Sequence, residues 1–440
     1  MSAKEKLTRR DFARLLSISG SAALFPMSAF GQTGNGRVSL GDLGLTSAPL
    51  PRTPADPDEK FWHDVRSRFL LPRDFAFINA ANLCPASLPV VDAADKFTRQ
   101  YEASPTPATH SALAKVREDA RTLIAAALRV TPEEIVITRN TSEGNNYVSS
   151  GIHLGAGDEV IVFGDNHPSN LLAWTDKAKR FGFTVVTVPN VNPHPGTDAL
   201  VDAFNRAVTP RTKVMAITHV SSNSGDLFPA AELCKAARDK GVLSLVDGAQ
   251  SFGVLDVDLS AMRPDFYTGS FHKWPCGPKE TGVLFVNKDV QDRIWASLIS
   301  LYGGAVGISK KLEGNGQRDD AKIAAVAEAL KFQGGIGRDV IERRSRALAG
   351  ALIEGLKKIN GVQLWTHTDP DRHAAIVIFK PGSLDPRKLG AALAENEKIV
   401  ITMRAGADRP GLRISPHFFN TMDEIDRTVG AIKKYVTTGV

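Results

Sequence analysis

Six short apolar runs rich in β-branched residues recur from about residue 110 onward, with helical stretches between them: Ile135-Val136-Ile137, Val160-Ile161-Val162, Val185-Val186-Thr187-Val188, Val214-Met215-Ala216-Ile217, Leu243-Ser244-Leu245-Val246 and Gly282-Val283-Leu284-Phe285-Val286. Strands that are apolar along their whole length are buried on both faces. A crossover helix must also return the chain to the same sheet edge, so the alternation predicts an α/β domain, 90–320, built on a mainly parallel sheet. From Ile323 the pattern changes to a long helical stretch, a strand-like run Ala374-Ala375-Ile376-Val377-Ile378-Phe379, a helix over 386–395, a run Val400-Ile401-Thr402-Met403, and a last helix over 422–435. This reads as a smaller α+β C-terminal domain, 321–440. Residues 32–89 form an N-terminal strap whose first half is rich in Gly, Pro, Ser, Thr and Asp and carries no periodicity.

The chain has 440 residues and is 42% hydrophobic, enough for a large core and two or three domains. Its formal charge of +6 invites a nucleic-acid reading until it is located. Half of it lies in the first 31 residues, where Lys4, Lys6, Arg9, Arg10 and Arg14 face only Glu5 and Asp11. The remainder is too dilute for a polyanion-binding face, so no nucleic-acid partner is expected. That first stretch, basic at Thr8-Arg9-Arg10-Asp11-Phe12 and apolar from Leu15 to about Phe30, resembles a twin-arginine export signal over 1–31. The apolar run is short of the roughly 20 residues that span a bilayer. The expectation is therefore a periplasmic protein without a stable membrane anchor, handled by the twin-arginine translocation machinery. Cys84, Cys234 and Cys276 are odd in number and widely spaced, and the ten histidines lack ligand spacing. Neither a disulfide framework nor a metal site is predicted.

Ligands of open α/β sheets bind beyond the carboxyl ends of the strands, so polar residues there carry the most weight. The run 243–246 ends in Asp247-Gly248-Ala249-Gln250, and a later strand ends in Thr268-Gly269-Ser270-Phe271-His272-Lys273-Trp274. A desolvated lysine amine condenses with a carbonyl to give an imine. Pyridoxal phosphate (PLP) offers such a carbonyl, and its ring nitrogen requires a carboxylate partner such as Asp247. Its phosphate requires amides and hydroxyls at a helix N-terminus, and Thr141-Ser142-Glu143-Gly144 reads as a helix cap of that kind. A nucleotide-binding Rossmann enzyme is disfavoured, because no Gly-x-Gly-x-x-Gly follows an early strand.

In order and spacing these segments resemble the class V aminotransferase family of PLP enzymes, fold type I. The resemblance covers most of 75–435 and runs through Phe77-Ile78-Asn79-Ala80-Ala81-Asn82, Asp165-Asn166-His167-Pro168-Ser169-Asn170 and Arg413-Ile414-Ser415. It implies a homodimer in which Lys273 binds PLP covalently and shuttles protons. It also implies that Asp247 pairs with the ring nitrogen, Gln250 bonds the ring's phenolic oxygen, and His167 stacks on the ring. Thr141, Ser142, Ser270 and His272 would bind the phosphate, and Arg413 the substrate carboxylate, a task suited to a planar two-pronged donor. Ser222 would lie beside the cofactor and Asn82 beside the substrate. Two positions depart from the family pattern: Ser222 stands where cysteine desulfurases often have Asn, and Gln317 where a Thr commonly reaches the partner's phosphate.

Fold and cofactor do not select the reaction. None of the three cysteines matches the desulfurase cysteine loop, which weighs against sulfur abstraction. The segment His272-Lys273-Trp274-Pro275-Cys276-Gly277-Pro278-Lys279, with Arg318-Asp319, is most similar to the subgroup labelled isopenicillin-N-epimerase-like. The expectation is transamination or epimerisation-type chemistry on an amino acid or peptide metabolite. The alternatives are a C–S or β-elimination lyase and a non-catalytic PLP-binding relative.

Overall fold

The computed structural model describes residue 50, residues 52–404 and residues 409–440; the expected export signal lies outside them. A two-residue strand, β1 (Ala76–Phe77), precedes the main body. The seven strands of that body are β2 (Ile135–Thr138), β3 (Glu159–Phe163), β4 (Thr184–Val188), β5 (Thr212–Thr218), β6 (Leu243–Asp247), β7 (Phe266–Ser270) and β8 (Gly282–Val286). They form one sheet in the order β2-β8-β7-β6-β5-β3-β4. Only β8 runs against its neighbours; the other pairs, from β7 to β4, are parallel, as the continuous apolar runs require. Alternate side chains of one strand enter different cores: Ile161 and Phe163 join the cluster on one face, Val160 and Val162 that on the other.

The outer edge of β2 is closed by side chains. Ile135 O accepts from Arg121 Nη1 at 2.8 Å, Ile137 N–H donates to Glu313 Oε1 at 2.5 Å, and Ile137 O accepts from Arg318 Nη1 at 2.6 Å. Unpaired strand edges are sticky, and these bonds satisfy this one. Arg121, with no exposed surface, also meets both oxygens of buried Glu313 at 2.6 and 3.0 Å. Arg121→Met is therefore expected to cost about 3–5 kcal/mol, because it strands a buried carboxylate. The measurement is a drop in the urea midpoint at constant m-value; an unchanged midpoint would contradict the arrangement.

The C-terminal region contains β9 (Val362–Leu364), β10 (Val377–Pro381), β11 (Ile399–Val400), β12 (Thr402–Arg404) and β13 (Gly411–Ile414). Four of these form a sheet in the order β12-β13-β10-β9, while β11 pairs in parallel with β1. The structure departs from the pattern reading at two places. The run 374–379 enters its ladder only at Val377, because Ala374 N–H bonds Gly225 O in a loop of the main body. The run 400–403 is divided at Ile401 and serves two sheets, which hydropathy alone does not distinguish.

Candidate active site

The carboxyl edge of the seven-stranded sheet gathers the functional segments. Asp247 ends β6, the lysine turn follows β7, the helix Thr141–Gly151 follows β2, and Asp165–His167 follow β3. They enclose a cavity of about 280 Å³. Thr141, Ser142, His167, Asp247, Gln250, Ser270, His272, Lys273, Arg413 and Asn82 all line it. Ser222 does not; it lies buried in the turn after β5, and its Oγ has no hydrogen-bond partner.

At one end is the start of the helix Thr141–Gly151. Its N-cap is Asn140, one residue earlier than the sequence reading placed it, and the Asn140 side chain accepts from Glu143 N–H at 2.9 Å. Thr141 and Ser142 therefore occupy the first turn. Thr141 N–H donates to Ser270 Oγ at 2.8 Å, and the two hydroxyls are also 2.8 Å apart. Gly144 lets this helix sit tightly on β7, since a Cβ there would come within 2.8 Å of Thr268 Cγ2. A more open cleft of about 400 Å³ adjoins this end, sharing Asn140 and Ser142 and bounded by Ser297 and Leu298.

At the other end the Asp247 carboxylate is 3% exposed. It accepts from Asn145 Nδ2 at 2.9 Å and from Ala249 N–H at 3.0 Å, and Thr268 Oγ1 fixes Asn145 by donating to its Oδ1 at 2.8 Å. Both donors to Asp247 are neutral, so the buried charge can still take a cation. Gln250 is held by Trp274 Nε1, which donates to its Oε1 at 2.8 Å, and by its own Nε2 donating to Ala81 O at 2.9 Å.

Lys273 rides on a turn with little freedom. Cys276 N–H bonds Lys273 O at 2.9 Å, and Gly277 N–H bonds Phe271 O at 2.7 Å. The fully buried Trp274 anchors it further, its carbonyl accepting from Gln333 Nε2 at 2.7 Å and lying 2.6 Å from His417 Nε2. Burial pushes the Lys273 amine down to about 8; Asp247 opposes that shift and Arg413 adds to it. Burial, then the positive Lys273, lowers His272 to about 4. His167 falls to about 4, first through desolvation by the surrounding wall and then through Lys273, partly offset by Asp247, with Arg413 and Arg404 adding to the fall. Its ring is solvent-accessible at the cavity, and the cations facing it sustain that direction. Arg413 is buried on β13, bonds Thr402 Oγ1 at 3.5 Å, and has an Nε with no hydrogen-bond partner.

A Lys273 amine titrating near 8 is half neutral, and hence nucleophilic, well below the range of an ordinary lysine. In cofactor-free protein, modification of Lys273 by a small aldehyde should therefore rise with pH about a midpoint near 8. A midpoint above 10 would contradict its burial. The sign for stability follows: folded Lys273 binds fewer protons than the unfolded chain between about 8 and its ordinary value of 10.5, so its contribution favours folding increasingly as pH rises through that window.

The sequence reading missed Asn145 and Trp274 as an anchor of Gln250. Asn145 lies one helical turn after Thr141, a spacing that puts it on the same helix face. Cys84 and Cys276 are buried free thiols; burial pushes the Cys84 thiol well up, and a hydrogen bond with Cys276 adds to that. Burial pushes Cys234 up to about 12.

The donor set fits PLP: an anion-binding helix start, a buried carboxylate awaiting a cation, and a desolvated amine all open on one cavity. Comparison with known proteins agrees. The aminotransferase class-V family model matches residues 78–428. Isopenicillin N epimerase from Amycolatopsis lactamdurans is 31% identical over 393 residues, 85% of this chain and 98% of that protein. The cysteine desulfurase CsdA from Escherichia coli superposes with a TM-score of 0.77 at 25% identity, covering 88% of this chain and all of the other. A C-DES variant with glycine covalently linked to its PLP cofactor superposes with a TM-score of 0.77 at 22% identity, over 86% of this chain and 99% of that one.

Proposed function

We propose, from the premise that this chain belongs to the aminotransferase class-V family, that it is an exported PLP enzyme acting at the amine-bearing carbon of an amino acid or peptide metabolite. The observation that carries this reading is the convergence of Lys273, Asp247 and Arg413 on one cavity. When bound, PLP supplies an electron sink for whichever bond at Cα lies perpendicular to its ring. Thr141, Ser142, Ser270 and His272 hold the phosphate, and Asp247, oriented by Asn145, keeps the ring nitrogen protonated. Gln250, which lines the cavity, would offer an amide hydrogen to the phenolic oxygen. His167, which lines the cavity, would stack on the ring. Lys273 Nζ tethers the cofactor and carries the proton to and from Cα. Arg413 grips the substrate carboxylate, and Asn82 closes over it from the segment that Cys84 N–H ties to His272 O at 2.8 Å.

The finer reading is transamination or epimerisation-type chemistry. Its support is the similarity to isopenicillin N epimerase and the burial of all three thiols, which removes the exposed thiolate that sulfur abstraction requires. The second reading, a C–S or β-elimination lyase, draws on the likeness to cysteine desulfurase. One incubation of holoenzyme with candidate amino acids in deuterated water separates them. Deuterium at Cα with nitrogen retained indicates epimerisation, a keto product transamination, and ammonia with an unsaturated fragment elimination. Absence of all three would refute catalysis at Cα.

Two further parts of the reading concern the cell and the assembly. The paired Arg9-Arg10 segment fits the twin-arginine route, which moves folded proteins with their cofactor in place into the periplasm. The run 295–302 leaves Trp295, Leu298, Ile299, Leu301 and Tyr302 exposed, Leu301 at 98%, beside the cleft at the phosphate end. A contiguous apolar patch of that kind fits a homodimer whose second copy covers it. The reading expects Ile299→Asp to sediment as a monomer; a variant that remains dimeric would remove this patch from the interface.

A further inference from the structure

Two of the three cysteines, distant in the chain, meet beside the lysine turn. Cys84 ends the segment 79–84, and its N–H donates to His272 O at 2.8 Å, which ties that segment to the residue preceding Lys273. Cys276 lies on the other side of the same turn, its N–H donating to Lys273 O at 2.9 Å. Both side chains are buried in one apolar cluster with Phe271 and Trp274. Cys84 Sγ lies 3.8 Å from Ala80 O and Cys276 Sγ 3.6 Å from Trp274 O, and the two thiols also hydrogen-bond each other. Cys234 takes no part, being buried on the helix Ala230–Asp239 beside Ser244.

The two sulfurs are carried by unequal supports. Cys276 has a φ of 55°, in the left-handed region that a cysteine seldom adopts, and Gly277 N–H on Phe271 O at 2.7 Å closes the turn around it. Its thiol is therefore fixed with the lysine turn. On the opposite side Asn82 and Leu83 are exposed, so Cys84 lies directly beneath a short surface stretch. Short exposed stretches open locally without global unfolding.

We infer that Cys84 and Cys276 form an oxidisable dithiol whose disulfide latches the segment 79–84 onto the lysine turn. The co-reactant is a disulfide, small or carried by a protein. When the stretch 82–84 opens, the Cys84 thiolate, its proton lost to solvent, attacks the co-reactant's S–S bond and expels one thiol. The Cys276 thiolate then attacks Cys84 Sγ in the mixed disulfide and expels the second. The pair gives up two protons and two electrons, and the co-reactant takes them up as two thiols. The new bond holds Asn82, which lines the cavity, in a fixed place relative to Lys273. Ala81, whose carbonyl accepts from Gln250, is held with it. The latch requires neither a particular reaction in the cavity nor a particular compartment.

The test treats full-length, PLP-loaded protein with bis(hydroxyethyl) disulfide, then quenches, unfolds in urea and alkylates the remaining thiols. Alkylation should fall from three cysteines to Cys234 alone, and non-reducing peptide mapping should show residues 84 and 276 in one linked species, lighter by two hydrogen atoms. Amide exchange over 80–84 should slow by on the order of 10-fold in the oxidised protein and recover on reduction, because opening of that stretch is then restrained. The oxidised form should also melt several degrees higher, as a bond closing a long loop does. Cys84→Ala and Cys276→Ser should each abolish the bond and the exchange effect, while Cys234→Ala keeps both; the reduced and oxidised wild type carry the comparison without any variant. Three free thiols after a treatment that modifies the urea-unfolded chain, mixed disulfides with the reagent alone, or a bond that includes Cys234 would overturn the dithiol. A Cys84–Cys276 bond that leaves exchange over 80–84 unchanged would overturn the latch.

Discussion

Lys273→Ala should lower turnover by on the order of 10³-fold or more while leaving the fold intact, because on the proposed reading it removes both the covalent tether and the group that moves the proton at Cα. The turn it sits on is fixed by Trp274, Gln333 and His417 rather than by the amine, so thermal stability should change little. A small exogenous amine should restore part of the lost rate by replacing the missing proton carrier. Full activity in the variant would contradict the assignment. An unfolded variant would contradict the claim that the turn is held by its neighbours.

Asp247→Ala should lose about 10²–10³-fold in rate yet keep some bound cofactor, since it leaves untouched Thr141, Ser142, Ser270 and His272, the residues proposed to hold the phosphate. The physical reason is electrostatic. On the proposed reading the Asp247 carboxylate, oriented by the neutral Asn145 and Ala249 donors, would face the ring nitrogen and favour its protonated form. Asn145→Ala should produce a milder form of the same defect, with the pH profile displaced, because the carboxylate loses its orientation and not its charge. Wild-type rates in Asp247→Ala would remove the electron-sink role from this residue.

Much of this arrangement is legible in the linear chain, for reasons that can be located. Continuous β-branched runs between helices dictate a sheet covered on both faces, and such sheets bind ligands at the carboxyl ends of their strands. Asp247 and Lys273 were therefore visible as polar residues closing apolar runs. What stayed hidden depends on register between distant segments. Thr402 meets Arg413 only through the pairing of β12 with β13. Gln250 is fixed by Trp274, and the β2 edge is closed by Arg121 from one stretch and by Glu313 and Arg318 from another nearly 200 residues away. No local periodicity encodes those meetings. Asn145 was within reach of a helical-face argument, since it falls four residues after Thr141. The shift of the helix cap to Asn140 reflects the near-equivalence of Asn, Ser and Thr as caps.

The central claim is that one particular amine, among the 24 lysines of the chain, carries the cofactor. Borohydride reduction of the yellow holoenzyme, followed by proteolysis and peptide mass mapping, tests it most directly. Lys177 is a useful internal control, because burial lowers its amine to about 8 as well, yet it bonds Ser149 and Asn146 and does not line the cavity. The account predicts a stable pyridoxyl adduct on Lys273 alone. An adduct on Lys177 or Lys279 with Lys273 unmodified, or no adduct after reconstitution with PLP, would contradict it.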